Sequence, residues 1–405
     1  TRVRSSAASD VYKRQVQTRF ATGTHELYQL LATERERDAL ADPAQAYELV
    51  RRISAAEEID TEEGHFSFQP ADGFQGVSEG APARPMGVEQ SNSSVVFDDR
   101  LVLKVFRKLE PGINPELEIL RFLTTRQFPH IAPLLGSYSY DGQALAATLG
   151  VAQSFIPDAV GGWELALEEI IRDPEMFLER LGSLGRVTAE LHTALASDAG
   201  DPAFSPEEPS NEALSLLTAT VDEDIERIFV RLPDDEALAP IVGRGQDVRE
   251  RLAARAQLGV GGRVIRTHGD YHLGQTLSTP RGWVIIDFEG EPARPLPERR
   301  QKRSPLRDVA SMLRSFAYVT SAVELQRGER APEDFELRAR ECFLTEYFEQ
   351  IDPTLLPSGE AQVANLLSIF ELEKAIYELR YELDNRPDWV QIPVAGIRRL
   401  LEETS

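Results

Sequence analysis

The stretch His268-Gly269-Asp270-Tyr271-His272-Leu273-Gly274-Gln275 is followed closely by Trp283-Val284-Ile285-Ile286-Asp287-Phe288-Glu289-Gly290. Val264 and Ile265 lead into the first motif, and Val284 to Ile286 lead into Asp287. One acid therefore falls on a tight loop and a second at the exit of a short strand. Gly and Asp are common turn formers, so a lone His-Gly-Asp is weak evidence of anything beyond a turn. Two acids at this spacing, each following an apolar run, are much harder to obtain by chance.

Phosphoryl transfer requires such a pair. One carboxylate orients the attacking hydroxyl and takes its proton, while a second, with an amide oxygen, holds Mg²⁺ on the nucleotide phosphates. The protein kinase pattern places its catalytic Asp five residues before a metal-binding Asn, and a second Asp opens its D-F-G triplet. Asp270 and Gln275 are five apart here, and Asp287 opens Asp-Phe-Glu-Gly. Asp270 is the expected base, Gln275 and Asp287 the expected metal ligands, and ATP and Mg²⁺ the expected nucleotide and ion.

The upstream half supplies other parts of such an enzyme. Glu89-Gln90-Ser91-Asn92-Ser93-Ser94 leads into Val95-Val96-Phe97, then Asp98-Asp99-Arg100 turns into Leu101-Val102-Leu103-Lys104-Val105-Phe106. This reads as strand, loop, strand, turn, strand. The loop Ser91, Asn92, Ser93 and Ser94 offers hydroxyls and backbone N–H groups to phosphate oxygens. Lys104, among apolar neighbours, needs a partner: a phosphate and a helix Glu. Asn114 and Pro115 are an N-cap and first residue of a helix. Glu118 is the expected partner, since Glu116 lies in the first turn and complements the dipole. Gln153-Ser154-Phe155-Ile156-Pro157 ends a strand as the expected hinge, where backbone groups, with Gln153 and Phe155 as candidates, meet adenine.

Composition narrows the class. The net charge of −23 argues against nucleic acid and anionic membranes as partners. The single Cys342 excludes a disulfide framework and fits a reducing cytoplasm. It reads as a packing residue. No apolar run approaches a membrane span, and no Cys/His cluster has zinc spacing. His25 to Leu31 and His65 to Gln69 alternate as strands, Ala44 to Ser54 reads as a helix, and Gly73 to Pro85 as a linker. Leu181, Leu184, Thr188, Leu191 and Leu195 recur at helical spacing, with His192 on the same helix as a packing residue.

In the last long helix, Ile369, Leu372, Ile376, Leu379 and Leu383 share one stripe. Phe370, Lys374, Tyr377, Glu378 and Tyr381 share the opposite face, where aromatic rings among charges suit a sugar. A second packing face is the alternative, chiefly for Phe370. Ser304 and Pro305 start another helix, carrying Asp308 in its first turn. Arg299, Arg300 and Arg303 are either a solvated run or contain a residue that meets phosphate.

The chain from about Met86 to its end resembles bacterial maltokinases. The likeness rests on Glu89 to Asn114, His268 to Gln275, Asp287 to Pro292, Arg307-Asp308-Val309-Ala310, and Glu371 to Glu378 with Asn385-Arg386-Pro387-Asp388-Trp389. The Arg-rich segment Glu298 to Asp308 distinguishes it from generic aminoglycoside phosphotransferases. The resemblance implies an α+β, bilobal, protein-kinase-like fold of the aminoglycoside phosphotransferase type, with a cap subdomain at residues 16–85, a small β-rich lobe at 86–157 and a large helical lobe at 158–405. It implies ATP-dependent phosphorylation of maltose at its reducing-end hydroxyl. Glucosamine or another sugar is the sibling alternative, and a silent regulatory module, fused to or partnering trehalose synthase, is the alternative of another class. Arg386 and Trp389 would lie near the sugar, Asp308 would accept hydrogen bonds from the catalytic loop, and His268, His272, Glu289 and Arg294 complete the substrate candidates. Residues 1–15, including Ser5 to Gln15, read like translated sequencing-adapter DNA and are set aside from the fold, which would make the cap truncated.

Overall fold

The structure, a computed structural model, describes residues 2–8, 11–19, 25–33, 38–86, 92–143, 145–256 and 261–402. It forms two compact units, Thr1–Ala159 with Val284–Arg300, and Val160–Trp283 with Gln301–Ser405.

The first unit carries strands β1 (Arg2–Ala8), β2 (Val11–Arg19) and β3 (His25–Thr33), helix α1 (Pro43–Ser54), and strands β4 (Glu58–Thr61), β5 (Gly64–Pro70), β6 (Ala83–Pro85), β7 (Asn92–Phe97), β8 (Leu101–Phe106) and β9 (Lys108–Leu109). Helix α2 (Pro115–Thr125) and strands β10 (Leu134–Gly142) and β11 (Leu145–Ser154) follow. One sheet has the order β1-β2-β3-β9 and another the order β4-β5-β10-β11-β8-β7-β6. The segment set aside as non-native is thus drawn into a sheet, with β2 pairing β3 along its length. The expected boundary at residue 85 does not fall between sheets, because β5 pairs with β10 and β6 with β7. The linker reading of Gly73 to Pro85 fails at its last three residues for the same reason.

Strand β8 shows how the sequence places its functional residue. Leu101, Leu103, Val105 and Phe106 are buried, and Lys104 is carried inside with them. The β7–β8 turn is tight: Asp98 and Asp99 both have positive φ, 52° and 46°. Asp tolerates that region better than most residues. Asn114 caps α2 through a 2.9 Å bond from the Glu116 N–H to its side-chain oxygen, and Pro115 takes the first position.

The second unit begins with β12 (Val160–Gly161), α3 (Gly162–Arg172), α4 (Pro174–Leu195), α5 (Asn211–Phe229) and α6 (Gly245–Ala256). Strands β13 (Thr276–Thr279) and β14 (Gly282–Ile285) complete a three-stranded sheet of order β12-β13-β14. The chain passes through α7 (Leu296–Arg299) in the first unit and returns as α8 (Leu306–Arg327), α9 (Phe335–Gln350), α10 (Glu360–Asn385) and α11 (Gln391–Glu402). The α8 helix starts one or two residues later than Ser304-Pro305 suggested, with the Ser304 Oγ accepting from the Leu306 N–H at 3.4 Å.

The expected apolar stripes are interior. Leu181, Leu184, Thr188, Leu191 and Leu195 are fully buried on α4. A Cβ at Gly185 would lie 2.1 Å from the Phe343 carbonyl oxygen, so only Gly lets α4 approach α9 this closely. Ile369, Leu372, Ile376 and Leu379 of α10 pack in one core with Val221, Ile225, Leu252 and Ile397. Cys342 is half-buried rather than fully packed. Among the described residues, no helix is long and apolar enough to cross a membrane.

Candidate active site

In the first unit, Lys104 is the centre of a charged cluster. Its Nζ lies 2.8 Å from Glu116, 2.6 Å from Asp287 and 2.9 Å from Glu289. The helix partner is therefore Glu116, and Glu118 is instead held by Arg300 at 2.7 Å. Helix periodicity explains the correction. Glu116 falls on the buried stripe with Ile119, Leu120 and Leu123, at i, i+3, i+4 and i+7, whereas Glu118 falls off it. That stripe was readable in the sequence and outweighs dipole complementation.

One lysine cannot neutralise three carboxylates. Burial disfavours the Lys104 charge, yet Glu116, Glu289 and Asp287 hold its pKa well above the ordinary lysine value. Burial pushes Glu116 up, to about 7, with Asp287 and Glu289 adding repulsion that Lys104 only partly offsets. One oxygen each from Glu116, Asp287 and Glu289 lies within 4.8 Å of the others. Hard carboxylate oxygens in excess of their counter-charge are the donor set that Mg²⁺ takes. The residues fit the ion, with Asp287 the most accessible of the three and both Glu289 oxygens already holding protein donors. Asp287 has φ 65°, an uncommon value that turns the chain sharply where β14 ends.

The remaining nucleotide candidates are placed as follows. Ser91 lies outside the described residues. Asn92, Ser93 and Ser94 belong to β7 rather than to a loop. Asn92 Nδ2 donates to Glu289 at 2.5 Å, Ser93 Oγ accepts from Arg107 at 2.9 Å, and Ser94 is buried. Gln153 turns its amide inward to Glu116 at 2.7 Å, so its side chain orients the acid rather than facing a base. The Phe155 N–H donates to the Arg100 carbonyl at 2.9 Å, and Arg84 sits 5.5 Å from its ring. Arg294 pairs with Glu291 at 2.5 Å, and Arg299 with Glu110.

In the second unit the loop His268 to Leu273 hangs from α8. The His268 and Gly269 N–H groups donate to the two Asp308 oxygens at 2.7 and 3.0 Å, and the Leu273 N–H donates to Ser315 at 3.0 Å. Gly269 has φ 85°, which suits glycine. Behind Asp308, His192 lies 3.2 Å away and meets Tyr347 at 3.0 Å through its other nitrogen. Burial raises the Asp308 carboxyl, but His192 and the Gly269 N–H hold it below the usual range. His192 is a satisfied interior residue, as expected.

Asp270 is thereby held at the partly open edge of a rigid loop. Its nearest charged neighbours in this unit are Lys374 at 3.5 Å and His272 at 3.9 Å. His268 is only 1 % exposed and accepts from the Asp270 N–H at 3.4 Å. It shapes the loop instead of facing an acceptor. Gln275 ends the short turn Leu273–Gln275, its N–H donating to the His272 carbonyl at 2.8 Å.

The expected sugar face of α10 is divided between open and buried positions. Lys374 lies 5.1 Å from the Tyr377 ring, and Tyr381 is 43 % exposed. Arg386 lies over both Tyr381 and Trp389, at 5.3 and 4.7 Å, while its guanidinium bonds Glu382 at 2.6 Å. Glu378 is not on that face: it is buried and held by Arg314 at 2.7 Å. Phe370 is buried too, with Arg307 over its ring, so the packing alternative holds for that residue.

A model of the phosphotransferase enzyme family matches residues 82–344. A glucosamine kinase of Mycolicibacterium smegmatis is 28% identical over 335 residues, covering 79% of this chain and 80% of that protein. A glucosamine kinase of Streptacidiphilus jiangxiensis is 25% identical, covering 82% of this chain and 76% of that protein. Among solved structures, a glucosamine kinase in complex with glucosamine, ADP and inorganic phosphate has a TM-score of 0.77 at 20% identity. That alignment covers 99% of this chain and 94% of that one.

Proposed function

The chain belongs to the phosphotransferase enzyme family, and on that premise we propose that it transfers the γ-phosphoryl group of ATP to a sugar hydroxyl, with glucosamine the first candidate acceptor. Its fold is the kinase-like one of that family, a β-sheet lobe with a helical C-terminal region. The maltose expectation is thereby demoted to a second reading: the relatives from Mycolicibacterium and Streptacidiphilus are both named glucosamine kinase. One observation supports retaining it. Lys374, 3.5 Å from Asp270, puts a positive charge beside the base, where a neutral sugar is easier to hold than a protonated amino sugar.

The observation that carries the kinase reading is a division of labour. Lys104, shared by three carboxylates, is equipped for phosphates and their cation. Asp270, on a loop fixed by Asp308, is equipped to take a proton. The acceptor hydroxyl oxygen forms a bond to the γ-phosphorus as the bond to the ADP oxygen breaks. Asp270 accepts the hydroxyl proton, and ADP leaves with the bonding pair. Mg²⁺, when bound, would be held by Asp287 and would supply charge neutralisation on the phosphates. A metal role for Gln275 rests on its five-residue step from Asp270 alone.

The test is ADP release with Mg²⁺ and ATP against glucosamine, maltose and glucose, with NMR of the product. A higher kcat/KM for glucosamine supports the first reading, and one for maltose the second. Mg·ATP binding without turnover on any sugar would overturn both in favour of a regulatory module. Asp287→Ala is expected to abolish Mg²⁺-dependent nucleotide binding by calorimetry; unchanged binding would remove its metal role.

A further inference from the structure

Glu289 occupies the third place of the Asp287-Phe288-Glu289 triplet, and its sequence position suggested a sugar contact. Its surroundings say otherwise. One carboxylate oxygen accepts from Asn92 Nδ2 at 2.5 Å and lies 2.9 Å from Lys104 Nζ. The other accepts from Asn114 Nδ2 at 3.4 Å. The residue's own carbonyl oxygen accepts from Arg299 at 3.0 Å. Its side chain is 15 % exposed. Both carboxylate oxygens are thus committed to donors on three elements: the first residue of β7, the middle of β8 and the N-cap of α2.

We infer that Glu289 is a positioning residue for the nucleotide, tying the start of β7 and the N-cap of α2 to Lys104, so that it governs nucleotide affinity and leaves sugar affinity alone. The inference rests on the phosphotransferase reading. Asn114 links Glu289 to Glu116 directly, since the same side chain that donates to Glu289 accepts the Glu116 N–H. Lys104 is therefore steered from two sides, by Glu116 on the helix and by Glu289 after the strand. A Gln at position 289 would keep one acceptor oxygen but lose the charge and the second acceptor, so Asn92 and Asn114 could not both be satisfied and Lys104 would be held more loosely. The expected loss is one charge-assisted hydrogen bond, about tenfold to a hundredfold in affinity.

The experiment measures Mg·ADP binding by calorimetry in the full chain, without sugar, for Glu289→Gln, Asn92→Ala and the double variant. Each single variant is expected to raise the nucleotide Kd about tenfold or more, and the double variant to add little, because the two residues share one bond. Sugar KM at saturating ATP is expected within about twofold of the parent, on the scale where tenfold is one lost interaction. A purely structural role would lower the folded fraction and leave the Kd of folded protein unchanged, which would overturn the inference. Raised sugar KM with unchanged nucleotide Kd would also overturn it and return Glu289 to the acceptor. If Glu289→Gln does not fold, Asn92→Ala decides alone by the same Kd. Raised nucleotide Kd in a protein that phosphorylates no sugar keeps this inference and sinks the sugar reading.

Discussion

Lys104 in the first unit faces three carboxylates, whereas Arg314 in the second faces one. Several of the second unit's buried charges are paired. Arg314 bonds Glu378 at 2.7 Å, and Arg386 bonds Glu382 at 2.6 Å. Arg340 and Arg399 share Glu371, with Glu336 on the far side of Arg399. Space is left for this matching: a Cβ at Gly396 would lie 2.2 Å from an Arg314 nitrogen. Burial raises the Glu371 carboxyl, but Arg340, Arg399 and Arg314 pull it below its usual value. Glu116 is pushed the other way, chiefly by burial, and so is Glu378 despite its Arg314 partner. Removing charge from water costs several kcal/mol per ion unless it is paired, on the order of the whole stability of a domain. What separates the two regions is the ratio of acids to cations, three to one around Lys104 and one to one at Arg314 and Glu378, and on the proposed function that excess suits a cation and phosphates.

Asp270 stands outside both clusters, and the largest effect is expected there. Asp270→Asn should lower kcat by about 10²–10⁴-fold, the usual cost of losing a general base. Nucleotide Kd and melting temperature should stay near the parent's, because Lys374 and His272 are its only charged neighbours among the described contacts, at 3.5 and 3.9 Å. A melting temperature that fell as for a broken buried pair would show Asp270 to be a structural charge. The division between clusters that hold and a residue that reacts would then be wrong.

How much of this was legible depended on distance along the chain. The placement of Asp270, Asp287 and Lys104, on a loop, after a strand and within a strand, was readable because each sits in a short apolar-flanked pattern. Asp308 was expected only from the resemblance, since dipole complementation suits an acid in a first turn equally well; its burial and its bonds to the His268 and Gly269 N–H groups are what separate the two. Glu116 was misread in favour of Glu118 because dipole complementation was weighed above the i, i+3, i+4, i+7 stripe. Glu378 was misread for a different reason. Periodicity sorts a helix into faces, but what covers each face is set elsewhere, and Arg314 is 64 positions away. The Gln153 side chain is non-local in the same way, since its partner Glu116 lies 37 positions upstream, while the backbone contact expected of the hinge is a separate matter. The seven-stranded sheet that joins β5 to β10 is non-local too.

The matched cluster gives the next effect. Arg314→Met should destabilise the protein by about 3–5 kcal/mol, because Glu378 is left buried without its cation. Replacing both, as Arg314→Met with Glu378→Leu, should recover most of that loss, since a well-packed apolar pair often equals a buried ion pair. Denaturant unfolding of the three variants reads the difference. Kinetics in the folded fraction should change little. If the double variant were folded and stable but lost sugar affinity, Glu378 would belong to the acceptor site and the second cluster would not be purely structural.

The smallest effect distinguishes the two faces of α10, which carries the matched cluster and the open aromatic face on one helix. Leu379 is fully buried in the α10 core, so Leu379→Ala should cost about 2–5 kcal/mol of stability. Tyr381 is 43 % exposed and touches the Arg386 guanidinium, so Tyr381→Ala should cost only about 0.5–1 kcal/mol. Its effect belongs in substrate binding: a lost platform and hydrogen bond should raise the KM for the sugar by an amount equivalent to about 1–3 kcal/mol, with kcat less affected. Arg386 sharpens the test. It remains anchored by Glu382 when Tyr381 is removed, so the loss reports the ring and not a collapsed neighbour. Equal melting temperatures for the two variants, with sugar KM unchanged in Tyr381→Ala, would make α10 structural on both faces. The acceptor would then have to be sought around Lys374 and His272, the groups that flank Asp270 directly.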